Sequence, residues 1–325
     1  MKDTGAIVFG PVPSRRLGRS LGINNIPPKF CSYSCVYCQV GRTADTTITR
    51  KSFYKPGEIF KQVKRKVDAA VSRNDEVDYL TFVPDGEPTL DVNLGKELAI
   101  LKQIDIPRAV ITNASLIWRE DVKEDLLEAD LVSFKIDTVN EKLWKRINRP
   151  HKELKLNRIL EGIAEFAEEF KGTLVSETML PDRIRYGFEF KNIAEFLKGL
   201  KKLEKAYIAI PTRPPAEKWV KPVQEVTMNA AFQAFAEKLG VNKIEYLTGY
   251  EGNAFACTGV VKEDLLSITA VHPMRRQAVK ALLRKANADW AIIENLLDEG
   301  KLIELEYQGN VYYMRPYDEA AKKIR

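Results

Sequence analysis

Histidine and cysteine are scarce in this chain: two histidines, His151 and His272, and four cysteines in 325 residues. A closed structural zinc site takes four Cys or His ligands, commonly from paired C-x(2-4)-C units. Neither histidine lies near the clustered thiols in sequence, and Cys257 is more than two hundred residues downstream of them. A disulfide framework fits poorly, because pairing within the cluster leaves an odd thiol and nothing at the N-terminus resembles a secretion signal. No apolar run approaches the roughly 18 to 20 residues that span a bilayer. Free thiols without an export segment lead to the expectation of a reducing cytoplasm and no membrane partner. With 45% apolar and 30% charged residues, the composition is that of a globular protein of one large domain or two.

What is present is concentrated. Three of the four cysteines fall within eight residues, Cys31-Ser32-Tyr33-Ser34-Cys35-Val36-Tyr37-Cys38. Three clustered thiolates can hold three irons of a cubane. A [4Fe-4S] cluster normally takes four cysteines, so this loop leaves one iron open to another ligand. Structural zinc is the competing reading, and it requires the fold to return Cys257 to the loop.

After the loop, short β-branched runs alternate with longer amphipathic stretches, the pattern of βαβ units. Strands are expected near 20–24 and at 78–83, 107–112, 130–136, 173–180 and 206–210. Helices are expected at 56–72, 92–103, 119–127, 155–170, 190–203 and 228–238. Ile59, Val63, Val67 and Val71 recur every four residues along the first helix, and Leu156, Ile159, Leu160, Ile163 and Phe166 stripe the fourth; both read as core. Right-handed crossovers then give a parallel sheet curled toward a barrel, with functional loops at strand C-termini. Near residue 250 the pattern becomes three helices, the last at about 289–298, then strands at 301–307 and 311–315 around Gln308-Gly309-Asn310. We expect a core over 1–249 and a winged-helix-like module over 250–325, with Gly249–Asn253 as the joint.

The CxxxCxxC spacing, with Tyr37 in the penultimate place, resembles the signature of the radical S-adenosylmethionine (SAM) superfamily. The resemblance implies a partial (β/α)6 barrel with the cluster loop after its first strand. It also implies a [4Fe-4S] cluster on Cys31, Cys35 and Cys38 whose open iron chelates SAM. Reductive cleavage of SAM there gives a 5'-deoxyadenosyl radical that abstracts hydrogen from substrate. Pro84-Asp85-Gly86-Glu87-Pro88 resembles the family's Gly-Gly-Glu motif, which binds the SAM amino group, and so implies Asp85, Gly86 and Glu87 as cofactor contacts. Thr112-Asn113-Ala114 resembles a Thr-Asn-Gly turn beside SAM. Ser133, Lys135 and Asp137 alternate along one strand, and the family implies ribose or carboxylate contacts from Ser133 and Lys135. The chain is most similar to a stand-alone group of Fe-S oxidoreductases related to the wyosine-type tRNA-modifying enzymes.

Other residues leave more open. Ser176 and Thr178 share one strand face and Glu177 the other, without a sign of which looks inward. Arg213, in a Pro-rich turn, is either structural or an anion contact. Cys257 reads as a small buried residue, His272 as a helix-start residue and His151 as a substrate-site candidate. Residues 1–55 hold nine basic side chains against two acidic ones, while the rest is balanced. The segment from Gly10 to Ser20, with Arg15, Arg16 and Arg19, is expected to be an arm near the cluster mouth. The excess either offsets cluster and SAM or receives an anionic substrate, tRNA included. The last helix carries Asp289, Glu294, Asp298 and Glu299, which argues against sequence-specific DNA reading. The function expected is therefore a radical SAM enzyme supplied by an external one-electron reductant and acting on an anionic substrate, an RNA base or a peptide. The alternative is a non-enzymatic iron-sulfur or zinc module that binds nucleic acid or a protein.

Overall fold

The computed structural model describes residues 7–249, 251–253, 255–257 and 260–316. Tyr250 of the expected joint and residues 317–325 of the expected C-terminal module lie outside that range.

One eight-stranded sheet runs in sequence order. β1 (Val8–Ser14) and β2 (Gly18–Ile23) form an antiparallel hairpin. Next come β3 (Tyr79–Phe82), β4 (Arg108–Thr112), β5 (Leu131–Lys135), β6 (Thr173–Met179), β7 (Leu203–Ala209) and β8 (Ile244–Leu247). All of these pairings, from β2 onward, are parallel. β1 and β8 remain as edges, so the sheet is an open half-barrel of the expected α/β class. The connecting helices are α1 (Pro56–Val71), α2 (Leu94–Leu101), α3 (Glu120–Leu127), α4 (Glu141–Ile147), α5 (Leu156–Glu169), α6 (Glu189–Gly199) and α7 (Glu225–Leu239).

The expected N-terminal arm is instead the strand β1. Its prolines, Pro11 and Pro13, lack an N–H and disguise a strand in sequence, but an edge strand tolerates them. β8 was not foreseen either, since only Ile244 and Leu247 of its four residues are buried. In α1 the inward stripe is Ile59, Val63, Val67 and Ala70, while Val71 is 63% exposed. A spacing of four drifts ahead of the 3.6-residue turn, so the fourth inward place falls one residue earlier.

Strand alternation assigns the two sheet faces. Val132, Phe134, Leu174, Ala206 and Ile208 join the core beneath the helices. Leu131, Val175, Tyr207, Ala209 and Leu247 form a smaller cluster inside the curl. The same alternation turns Ser133, Lys135 and Glu177 inward, and Ser176 and Thr178 the other way.

The C-terminal elements are α8 (Val261–Val271), β9 (Met274–Arg275), α9 (Arg276–Lys285), α10 (Ala291–Asp298), β10 (Ile303–Tyr307) and β11 (Asn310–Met314). The three helices and the hairpin follow the expected order, and β9 adds a third strand beside β11. Gln308 and Gly309, the two-residue turn, have φ of 51° and 68°, the conformation that matches a twisted hairpin. Their buried core includes Leu265, Ile268, Leu282, Ile293 and Tyr313, and it takes in Phe9 and Val12 from β1. Lys66 pairs with Asp264 at 2.8 Å, and Tyr307 and Tyr312 donate to the carbonyls of Pro211 and Thr212 at 3.1 and 2.9 Å. The basic face of α9 is used inside the molecule: Arg276 lies 5.4 Å from the Trp290 ring, and Lys285 pairs with Asp75 at 2.7 Å.

Candidate active site

The cysteine loop is held from both sides by backbone. Lys29 N–H donates to the Asp85 carbonyl at 2.9 Å and Glu87 N–H to the Phe30 carbonyl at 3.0 Å. Gly86 permits that approach: a Cβ there would lie 2.0 Å from the Phe30 oxygen. Asp85, where the family pattern has glycine, needs no left-handed backbone, because it is not among the positive-φ residues. On the other side Val36 N–H meets Ile147 O at 2.9 Å and His151 N–H meets Ser32 O at 2.9 Å. Trp144 of α4 donates to the Tyr33 hydroxyl at 3.1 Å. This 144–151 support was not foreseen, and its short helix carries no long periodic stripe.

Each thiol faces an N–H donor. Asn113 Nδ2 lies 3.7 Å from Cys31 Sγ, Asn148 Nδ2 3.5 Å from Cys35 Sγ and Lys29 Nζ 3.8 Å from Cys38 Sγ. Such donors stabilise sulfur that carries negative charge. Burial, reinforced by neighbouring acids and thiols, raises the Cys31 thiol well above its ordinary value and pushes Cys35 up to about 12. Among the described residues, no group of three Cys, His, Asp or Glu side chains is arranged around a single metal ion. Cys257 stays buried in the C-terminal core, its carbonyl bonded to Arg73 at 2.7 Å. The donor set thus fits a cluster that gives each thiolate its own iron better than it fits closed zinc.

The companion turns are wired to this loop. Glu87 is 1% exposed and accepts from Thr89 Oγ1 and Thr112 Oγ1, both at 2.6 Å, and from Asn113 N–H at 2.8 Å. Burial raises its pKa and these donors oppose the rise. Asn113 Nδ2 continues to Ser32 Oγ at 2.9 Å. Ala114 completes the turn at φ 60°. Asp85 differs: it is 1% exposed, neither carboxylate oxygen meets a donor among the described residues, and burial lifts its pKa to about 7 against the pull of Lys29.

Lys135 pairs with Glu177, which also pairs with Arg16. Burial would lower the Lys135 pKa, but Glu177 and Asp137 outweigh it and hold the ammonium above its ordinary value. Burial would likewise raise Glu177, yet Arg16 and Lys135 hold it at about 2. Ser133 sits behind this group and accepts from Arg16 Nη1 at 3.1 Å. Asp137 accepts from Tyr37, from Asn148 at 2.6 Å and from the Met179 N–H at 2.8 Å.

Cys31, Cys35, Cys38, Asp85, Gly86, Glu87, Thr112, Asn113 and Lys135 all line one cavity of about 340 Å³. Ser133 does not reach its surface. Arg15, Arg16, Glu177, Arg213, Glu251 and His272 also line it. His272 ends α8 as its C-cap, a correction to the helix-start reading; the proline after it marked an end and not a beginning. His151 instead lines a second, more open pocket with Thr47, Arg50 and Glu153, separate from the thiols' cavity. The signals for Glu177 and Glu251 are an inward strand register and a fold contact, neither of which single-sequence spacing supplies.

The Radical SAM superfamily model matches residues 25–197, the stretch that carries the thiols and every turn just described. The chain belongs to the radical SAM superfamily and is an enzyme of that class, whose cofactors are a [4Fe-4S] cluster and SAM. A UPF0026 protein of Methanocaldococcus jannaschii is 53% identical to this chain over 98% of both chains. Among solved structures, a radical SAM methyltransferase from Sphaerobacter thermophilus has a TM-score of 0.54 at 15% identity, covering 70% of this chain and 66% of that one. A structure of TYW1 with a lysine-pyruvate adduct bound has a TM-score of 0.50 at 15% identity, covering 67% and 73%. These two likenesses are of fold. No helix among the described residues is long and apolar enough to cross a membrane.

Proposed function

We propose that this enzyme holds its cluster on Cys31, Cys35 and Cys38, cleaves SAM with an electron from an external one-electron donor, and removes hydrogen from an anionic substrate in the same cavity. When bound, cluster and SAM together supply the radical chemistry. The carrying observation is that three thiols, each beside an N–H donor, share one cavity with the Asp85–Glu87 turn, the Thr112–Asn113 turn and Lys135.

In this reading Asp85 is the free acid for the SAM amino group, since Glu87 is occupied in fixing Thr112 and Asn113. Gly86 lets the turn lie against the cluster loop. Lys135, poised as a cation by Glu177, is the side chain for a carboxylate or ribose, and Ser133 contributes by holding Arg16. The basic excess of residues 1–55 supports a single anionic group more than a polyanion track. Arg15, Arg16, Arg19, Arg42 and Arg50 each pair with a carboxylate from later in the chain.

Anaerobic reconstitution should give about four irons and four sulfides per chain and dithionite-dependent release of 5'-deoxyadenosine. A fully loaded protein that leaves SAM intact refutes the proposal. Mass spectrometry of tRNA nucleosides from a deletion strain tests tRNA as the anionic substrate, and an unchanged profile removes it.

A further inference from the structure

Arg15 occupies the turn between β1 and β2. Its Nη2 lies 3.2 Å from Glu251, while Nε and Nη1 are buried and meet no acceptor among the described residues. A buried guanidinium with unfilled N–H groups is costly, more so than a neutral donor. Three elements converge around it. Arg213, after β7, pairs with Glu251 and donates to Gln39 at 2.7 Å, immediately beyond Cys38. His272, at the end of α8, lies 3.2 Å from Arg213 Nη2, and Gln39 donates to the Val271 carbonyl at 2.8 Å.

The charge here does not balance. Burial and Arg213 lower the His272 pKa to about 3, so the imidazole is neutral. That sets four cations, Arg15, Arg213, Arg16 and Lys135, against at most three carboxylates, Glu251, Glu177 and the Asp137 that also acts on Lys135. Burial acts on Arg15 first, and then the charges of Glu251, Arg213, Glu177 and Arg16. Lys29 is the cation beside Cys38.

We propose that Arg15, flanked by Arg213 and His272, is an oxyanion subsite that takes a phosphate or carboxylate group of the substrate. The inference rests on reading this cavity as the substrate chamber, and it gives that substrate's recognised group a chemical class. Arg15 lines the cavity together with Arg213 and His272, so an oxyanion that enters there meets a guanidinium that Glu251 holds in the wall and whose Nε and Nη1 have no acceptor of their own among the described residues.

The test is anaerobic calorimetry on full-length, cluster-loaded protein with SAM already bound, titrated separately with orthophosphate and with succinate. Wild-type protein should bind at least one; the phosphate arm alone points to a phosphate ester and the succinate arm alone to a carboxylate. Arg15→Gln should weaken that binding by roughly tenfold or more, the loss expected for a charge-assisted hydrogen bond. No binding of either anion by the wild type, equal binding by Arg15→Gln, or mutual exclusion with SAM overturns the proposal. Should thermal melts show that Arg15→Gln does not fold, Arg15→Lys is compared instead. A loss of several-fold is expected there, and an unchanged affinity again overturns the subsite. The calorimetry involves no electron transfer. Anion binding without SAM cleavage thus sinks the enzymatic reading alone, and cleavage without anion binding sinks this one.

Discussion

The Lys135 ammonium lies 5.0 Å from the centroid of the Tyr37 ring, which ties the end of β5 to the residue before the last cysteine. Tyr37 also donates its hydroxyl to Asp137 and accepts from Asn148 at 3.2 Å. The aromatic residue of the cysteine signature is thus clamped by a cation on its face and an acid at its tip. Tyr37→Phe keeps the ring and leaves buried Asp137 one donor short. Stability should fall by about 1–3 kcal/mol, measured by denaturant unfolding, with a lower yield of reconstituted iron per chain.

Glu87 organises three partners at once, so Glu87→Gln should act beyond its own position. In either orientation the amide nitrogen would face a backbone N–H, that of Asn113 or that of Thr89, which the carboxylate accepts. A loss of about 1–3 kcal/mol is expected, together with weaker SAM binding by equilibrium dialysis, because Asn113 loses its orientation beside Cys31. Unchanged SAM affinity in a folded variant would detach this turn from cofactor binding.

Two glycines should respond oppositely to alanine. At Gly86 the added Cβ meets the Phe30 carbonyl at 2.0 Å, while at Gly57 in α1 nothing lies within 4 Å. Gly86→Ala should destabilise strongly, by about 3 kcal/mol or more, and displace the cysteine loop. Gly57→Ala should stabilise by about 0.4–1 kcal/mol, through the lost freedom of the unfolded chain. Paired thermal melts check both signs.

Asp91 and Glu97 form a buried acid pair beside Asn25, and Asp91 Oδ2 and Glu97 Oε1 meet no donor among the described residues. Burial, and for Glu97 the neighbouring Asp91, raises both carboxyls above their ordinary values. A raised acid binds its proton more tightly in the folded chain than in the unfolded one. Its contribution is favourable near the ordinary carboxyl value and is lost as pH rises through neutrality. Tm should therefore decline from about pH 5 to about pH 9, and Glu97→Gln should flatten that slope.

The parallel strands were legible because each is a short β-branched run between amphipathic helices, and β2 to β7 fall within a few residues of their expected places. The site was legible wherever chemistry sits in local order: the thiols, the Asp85–Glu87 turn, Thr112–Asn113 and Lys135 all reach one cavity. What was hidden depends on the third dimension. The prolines of β1 masked a strand, and although Arg15 and Arg16 do reach the cluster mouth as expected, their partners, Glu251 and Glu177, lie too far downstream for the sequence to show. That Glu87 is already hydrogen-bonded while the Asp85 carboxylate is not was hidden too, since only packing shows it.

β1 belongs to two interiors. Val8 packs with the barrel core, whereas Phe9 and Val12 pack with α8 and its neighbours, and the Phe9 ring fills the place a side chain on Gly22 would take. Sequence drift at this one strand is therefore answerable to both ends of the chain. A larger residue at position 22 demands a smaller one at 9, which in turn reopens the packing around Leu265 and Ile268. The first and last segments of this protein should change in concert over descent, although almost the whole sheet lies between them.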